Sequence, residues 1–455
     1  MNIDLAIFAI YIVLLLTIGL WKSVKVQSEL SYLLANRSTG LFALVATLVM
    51  TEFNTSTLLG FSSVGAIAGL WGLWLPSVFL FGLLFYAVVV AKKWKQFNGF
   101  STAGFFTMKY GSKFGKIASA CLLVAMLGFS ATYIKSLVLL FSPMLACLTE
   151  WESSLIFVLI VLAFTLRGGL VSVIRTDIFG FMSVLVLIPA LAFFVWINAE
   201  GGFSSFIDRF PISKSQEDLS FAYIASLIVL TMFTYISAPW YSQKIFSAKS
   251  EKTAYLSVVI AAVIVFLLYG FPVIATGLFA LTGIENSNPQ MSIPLIIQHF
   301  LPLGWKGFAY GVLFVAASTT LAGVWSAMTT MAISDFLKHS DAKVGISRSI
   351  YITIFFAFFS WLSANLIVDN ILNKLILANI PVAALSFALL GGFYWKKTNF
   401  YGAIASVIVG IVWGIFSYYY WQEEGGYTIY WVFIGIPIIF ATGGIGSLLT
   451  SNRTG

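Results

Sequence analysis

Thr51-Glu52-Phe53-Asn54-Thr55-Ser56-Thr57 is a run of seven residues, six of them polar, in the middle of an otherwise apolar stretch at 41–66. If that stretch lies in lipid, a charged side chain there is costly and has to face a cavity or a partner. Two readings fit the run. In the first, the helix breaks near mid-bilayer, and its freed carbonyls and side chains bind an ion and a solute. In the second, the run is a polar seam between packed helices.

The surroundings settle that lipid is the solvent. Of 455 residues, 60% are hydrophobic and 9% charged, whereas a soluble domain carries roughly 25% charged residues. So few charges cannot cover a water-facing surface of this size. The apolar runs are long enough for a bilayer core of ~30 Å, which takes ~20 helical residues to cross. Period-2 alternation is absent, which excludes an outer-membrane barrel. The pattern predicts an all-α integral membrane protein with about 13 transmembrane helices, near 4–21, 41–66, 70–91, 115–146, 153–166, 177–198, 219–243, 253–280, 305–334, 347–368, 371–394, 400–420 and 427–449.

Charge sets the expected orientation. Of the 25 basic residues, 20 fall in alternate loops: Lys22, Lys25 and Arg37; Lys92, Lys93, Lys95, Lys109, Lys113 and Lys116; Arg167 and Arg175; Lys244, Lys249 and Lys252; Lys338, Lys343 and Arg348; Lys396 and Lys397; and Arg453. The opposite loops hold Arg209, Lys214 and Lys306, beside Glu150, Glu152, Glu200, Asp208, Glu217, Asp218, Glu285, Glu423 and Glu424. This positive-inside pattern puts the N-terminus outside and the C-terminus in the cytoplasm, with a bacterial inner membrane as the expected location. It also accounts for the net charge of +8 without nucleic acid. The first span has no basic n-region, so a retained helix is expected rather than a signal peptide. The loops leave no room for an appended soluble domain, and no obligatory protein partner is evident. Cys121 and Cys147, expected along one helix, do not form a disulfide framework. With His299 and His339 they do not suggest a transition-metal site.

Other polar residues in the spans carry alternatives. Lys135, in Ser130-Ala131-Thr132-Tyr133-Ile134-Lys135-Ser136, either meets a solute carboxylate or Glu52, or snorkels to an interface. Lys374 reads as structural near the outer mouth. Asp177, beside Arg175, either caps a helix N-terminus or serves ion exit. Ser318, Thr319 and Thr320 in the ninth span offer hydroxyls that suit a hard ion such as Na⁺, or bond back to their own helix.

Four segments in order resemble the sodium:solute symporter family, over about residues 31–402. Ser31-Tyr32-Leu33-Leu34-Ala35-Asn36-Arg37-Ser38-Thr39-Gly40 is similar to its "FLAGRSLG" lead-in. Arg167-Gly168-Gly169-Leu170-Val171-Ser172-Val173-Ile174-Arg175-Thr176-Asp177 resembles its "GGLxAVxxTD" loop. Ala238-Pro239-Trp240-Tyr241-Ser242-Gln243-Lys244 through Ala248-Lys249 resembles its "QRxxAAK" helix end. Gly391-Gly392-Phe393-Tyr394-Trp395-Lys396-Lys397-Thr398-Asn399 resembles its "LGxFWKRxN" segment. The resemblance implies a LeuT-like core of two inverted five-helix repeats, with discontinuous first and sixth core helices and the site between them. The repeats would be 41–198 and 219–394, with 1–40 and 395–455 accessory.

The resemblance also implies a sodium site. Counted from Gly60, two carbonyl ligands fall on Met50 and Phe53. Counted back sixteen residues from Asp335, a hydroxyl pair falls on Thr319 and Thr320, and the third carbonyl on Ala316. Leu321, the next residue, also fits; Ser318 with Thr319 is the less favoured register. Relatives with a second sodium use a further hydroxyl pair, where this chain has Ala322 and Gly323. Asp177 would then be the only other side-chain ligand, so one Na⁺ is expected. Solute contacts would come from Glu52, Asn54, Ser56, Thr57, Lys135 and Tyr235, with Trp240 either lining the path or packing. Glu52 is itself a departure, since proline-type relatives have aspartate there and others neutral residues. It could assist the ion, bind an amine or titrate.

The resulting expectation is a sodium-coupled symporter, not an enzyme, that imports a small organic solute, an acid or zwitterion by preference. The alternatives are proton coupling through Glu52, and a non-transporting substrate sensor built on the same core.

Overall fold

The computed structural model describes residues 3–20, 34–97, 99, 101–145, 147–199, 202–210, 219–337, 342–423 and 426–450. Ser31, Tyr32, Leu33 and His339 lie outside them. So do the loop charges Lys22, Lys25, Glu200, Lys214, Glu217, Asp218, Lys338, Glu424 and Arg453, and the side chains of Arg167 and Lys343.

The helices run in this order: α1 (Ile3–Leu20), α2 (Leu41–Glu52), α3 (Thr55–Ala68), α4 (Trp74–Tyr86, carried on through a π-turn at 87–91 and Lys92–Gln96), α5 (Thr102–Tyr110), α6 (Ser112–Phe141), α7 (Glu150–Trp196), α8 (Gly202–Arg209), α9 (Phe221–Tyr235), α10 (Pro239–Ser247), α11 (Glu251–Phe279), α12 (Ser292–Phe300), α13 (Trp305–Phe336), α14 (Ala342–Leu366), α15 (Ile371–Leu377), α16 (Ile380–Ala383), α17 (Ser386–Tyr394), α18 (Phe400–Trp421) and α19 (Tyr427–Thr450). Among the described residues the only β pairing is a single parallel bridge between Thr39 and Ala248.

By length and composition, eight of these helices can cross a membrane, or ten if two bent pairs each count as one span. The thirteen expected spans are therefore not recovered one for one. The first has the shorter apolar helix at Ile3–Gly19, the second and third run together over Thr55–Gln96, and the fifth is absorbed into α7. The loop expected at 167–176 is helical instead. That stretch contains no proline, and the Thr176 hydroxyl donates to the Ser172 carbonyl at 3.1 Å, a back-bond common in membrane helices. Cys147 lies exposed beyond the end of α6, not on the helix of Cys121.

Burial sorts centre from periphery. The most apolar window of α13 is 89% buried, that of α14 only 22%. A helix apolar and buried all round belongs in the middle of a bundle, and one with an exposed apolar face meets lipid. In α2 every residue from Leu44 to Glu52 is buried. It packs against α7, α10, α11 and α13, and α3 packs against α6, α11 and α15. The α3–α11 approach is close because position 65 is glycine: a Cβ there would lie 2.3 Å from the Val273 carbonyl oxygen. The pair α18–α19 packs mainly on itself.

Candidate solute and ion site

Two helix breaks face each other at the centre, and each has a local cause. Between α2 and α3, Phe53 (φ −78°, ψ 93°) and Asn54 (φ −128°, ψ 161°) are extended. Asn54 is an N-cap whose Oδ1 accepts from the Thr57 amide at 2.9 Å, which starts a new helix inside the membrane. The freed groups are paired by side chains, as lipid depth requires. The Tyr269 hydroxyl donates to the Glu52 carbonyl at 2.5 Å and accepts from the Asn54 amide at 3.1 Å. Asn54 Nδ2 donates to the same carbonyl at 2.9 Å.

That arrangement has a consequence at Met50. The Asn54 amide, which in an unbroken helix would bond the Met50 carbonyl, is turned to Tyr269. The Met50 carbonyl instead accepts from Thr320 Oγ1 at 2.9 Å, and the same hydroxyl lies 2.9 Å from the Ala316 carbonyl. Thr319 Oγ1 is 3.4 Å from the Ala316 carbonyl. Three oxygens from α2 and α13 thus converge. Ser318 does not join them, because its hydroxyl bonds the Phe314 carbonyl of its own helix. Phe53 sits at the break with its ring stacked on Tyr269.

The second break, between α9 and α10, comes from Pro239, which disfavours a helical residue before it and starts α10. The two helices meet at 51°, and the freed Ile236 carbonyl accepts from Trp94 Nε1 at 2.9 Å.

A cavity of about 80 Å³ lies between the breaks, lined by Glu52, Asn54, Thr57, Tyr235 and Trp240 among others. Glu52 is 1% exposed. One of its oxygens accepts from the Tyr235 hydroxyl, and Oε1 has no hydrogen-bond partner. Ser56 is buried and does not line the cavity. A second space of about 10 Å³, roughly the room one water needs, is lined by Thr319, Thr320, Gln243, Lys244 and Ser326. Thr51 and Trp240 line both spaces, and Trp240 is buried.

Two charges differ from expectation. Lys135 is not at the cavity; it pairs with Glu150 at 2.6 Å. Tyrosine, not lysine, meets Glu52. Lys135→Ala is therefore expected to leave solute affinity unchanged and to cost at most about 1 kcal/mol of stability, checked by equilibrium binding and melting. Asp177 does not cap a helix start, since α7 continues through it, and its Oδ1 has no hydrogen-bond partner. It forms a buried ion pair with Lys244 at 2.8 Å, and Lys244 also donates to the Thr47 carbonyl at 2.9 Å. The Thr47 hydroxyl donates to Asp177 as well.

Sequence reading missed Tyr269, Thr47 and the role of Lys244. Lys244 was visible as a cation in the helix-end motif; Tyr269, inside an apolar helix, carried no local signal. Tyr269→Phe leaves the buried Asn54 amide unpaired, while the Glu52 carbonyl keeps Asn54 Nδ2, and is expected to cost about 1–3 kcal/mol, read as a lower melting temperature in detergent. The lead-in and helix-end motifs also prove to be neighbours. The Thr39 amide donates to the Ser247 carbonyl and the Lys249 amide to the Thr39 carbonyl, both at 2.9 Å.

The chain is 24% identical over 475 residues to the sodium/glucose cotransporter of Vibrio parahaemolyticus, covering 91% of this chain and 84% of that one. A sodium-coupled sialic acid symporter, solved substrate-bound and outward-open, superposes with TM-score 0.84 at 16% identity, covering 99% and 98% of the two chains. MhsT, solved with L-phenylalanine, superposes with TM-score 0.57 at 16% identity, covering 88% and 99%. These likenesses establish the LeuT-like fold. The pattern that defines the sodium:solute symporter family matches residues 32–410, so the chain belongs to that family and is a multi-pass membrane transporter, not an enzyme.

Proposed function

We propose that the chain imports a small organic solute together with one sodium ion by alternating access. The observation that carries this reading is the convergence of Met50 O, Ala316 O and Thr320 Oγ1 at a helix break, beside a solute-sized cavity. Sodium would be held by those oxygens with Phe53 O and Thr319 Oγ1, oxygen ligands of the kind a hard cation takes. Glu52, Asn54, Thr57 and Tyr235 would meet the solute. The repeats at 41–198 and 219–394 would move against each other, with 1–40 and 395–455 accessory. The basic loops would face the cytoplasm and the N-terminus the outside.

The Asp177–Lys244 pair supports a single sodium. Lys244 supplies the positive charge that Asp177 would otherwise draw from an ion. The lysine that motivated an acidic solute is engaged by Glu150, which removes the support for that preference.

Sodium and solute binding must be reciprocal: each raises the affinity for the other by the same factor. Purified protein is expected to melt higher in sodium than in potassium, and a solute is expected to add to that shift only in sodium. Ligand at a hundredfold excess over Kd adds ~2.7 kcal/mol. A solute shift equal in both salts would remove sodium from the mechanism. It would favour the proton-coupled reading, for which the unpartnered Glu52 Oε1 speaks; uptake would then survive sodium removal and follow pH.

A further inference from the structure

We propose that the solute carries a cationic nitrogen, a protonated amine or quaternary ammonium, on a compact apolar body, and that this nitrogen seats against Glu52. The proposal rests on the symport reading and names the substrate class of the same cavity.

Charge comes first. Among the described residues, Glu52 is the only charged one lining the cavity. It is 1% exposed, and its Oε1 has no hydrogen-bond partner. A buried carboxylate with a hydroxyl on one oxygen and nothing on the other is costly when charged, and its complement is a cation. The nearby lysines are committed elsewhere, Lys135 to Glu150 and Lys244 to Asp177 and the Thr47 carbonyl. A carboxylate solute would therefore meet one negative side chain and no free positive one among the residues lining the cavity.

The walls agree. Phe61, Phe79, Phe129, Tyr133, Tyr235 and Trp240 line the cavity. Aromatic faces attract cations, the more so when desolvated, and such surroundings recognise quaternary ammonium groups. Beyond the aromatics the lining is half leucine, isoleucine and valine and half polar, from Thr51, Glu52, Asn54, Thr57, Thr231 and Asn379. The tyrosine hydroxyl on Glu52 leaves the second carboxylate oxygen for the solute.

The test is a melting and equilibrium-binding series on the full chain in sodium and in potassium. The probes are choline and benzyltrimethylammonium, their uncharged isosteres 3,3-dimethylbutanol and neopentylbenzene, phenethylamine, 3-phenylpropionate, glucose and sialic acid. The cations are expected to bind at least tenfold tighter than their neutral isosteres, and the anions not to bind. Glu52→Gln is expected to weaken the cations about tenfold or more, the loss of one charge-assisted contact. A cooperative melting transition and a monodisperse elution profile show that the variant is folded. The wild-type comparison of isosteres stands without any variant. Tighter binding of a neutral or anionic probe than of every cation overturns the proposal, as does the absence of any cation binding at millimolar concentration. Cation selectivity that persists with no sodium effect would instead overturn the symport reading and leave the substrate class standing.

Discussion

Thr320→Ala is expected to raise the sodium concentration for half-maximal uptake at least tenfold, a loss of about 1.4 kcal/mol in sodium binding. Among the described residues, the threonine hydroxyl is the only side-chain oxygen that touches both the Met50 and Ala316 carbonyls. Removing it leaves one ligand fewer and unties α13 from the break in α2. Thr320→Ser keeps the oxygen and is expected to recover most of the affinity. Ser318→Ala is expected to leave sodium dependence unchanged, because that hydroxyl is spent on the Phe314 carbonyl. Sodium-dependent uptake in proteoliposomes reads all three. If Ser318→Ala were the damaging change and Thr320→Ala silent, the site would be in the neighbouring register.

Lys244→Met is expected to destabilise the protein by about 3–5 kcal/mol, the effect of leaving one member of a buried ion pair uncompensated. The Asp177 side chain is 1% exposed and that of Lys244 6%, so water cannot take over the lost partner. The pair ties together α7 through Asp177, α10 through Lys244, and α2 through both the hydroxyl and the carbonyl of Thr47. Breaking it loosens three helices that pack around the proposed ion site. Removing both charges, as Asp177→Leu with Lys244→Met, is expected to recover most of the loss, since a buried pair replaced by apolar groups is often neutral. Melting of the two variants measures it. A single variant as stable as the native chain would mean the pair holds nothing together.

Much of the centre was legible because cost makes a signal. A glutamate and five hydroxyl or amide residues at 51–57 have no place in a plain lipid-facing helix, and the structure breaks the helix there. The second break was implied by the family resemblance alone: the expected span at 219–243 ran through Pro239, whose covalent geometry breaks it. The family resemblance, counted from Gly60 and Asp335, implied Met50, Ala316 and Thr320, which the Thr320 hydroxyl brings together. Asp335, the anchor of that count, is itself fixed by the hydroxyls of Ser101, Ser119 and Ser334.

What the sequence by itself determined is what depends on local composition: the lipid solvent, the all-helical class and the polar run at the centre, whose reading as a break rather than a seam came from the structure. Pairing across the bundle was decided only in the tertiary structure. Lys135 and Glu150 are fifteen residues apart, but Lys244 reaches Asp177 across sixty-seven and Tyr235 reaches Glu52 across one hundred and eighty-three. Which carboxylate a lysine meets depends on helix rotation and packing, and a long flexible side chain leaves no periodicity by which to read its partner. The same holds for Tyr269, an aromatic residue among apolar ones, whose hydroxyl acquires its purpose only where α11 crosses the break in the first core helix.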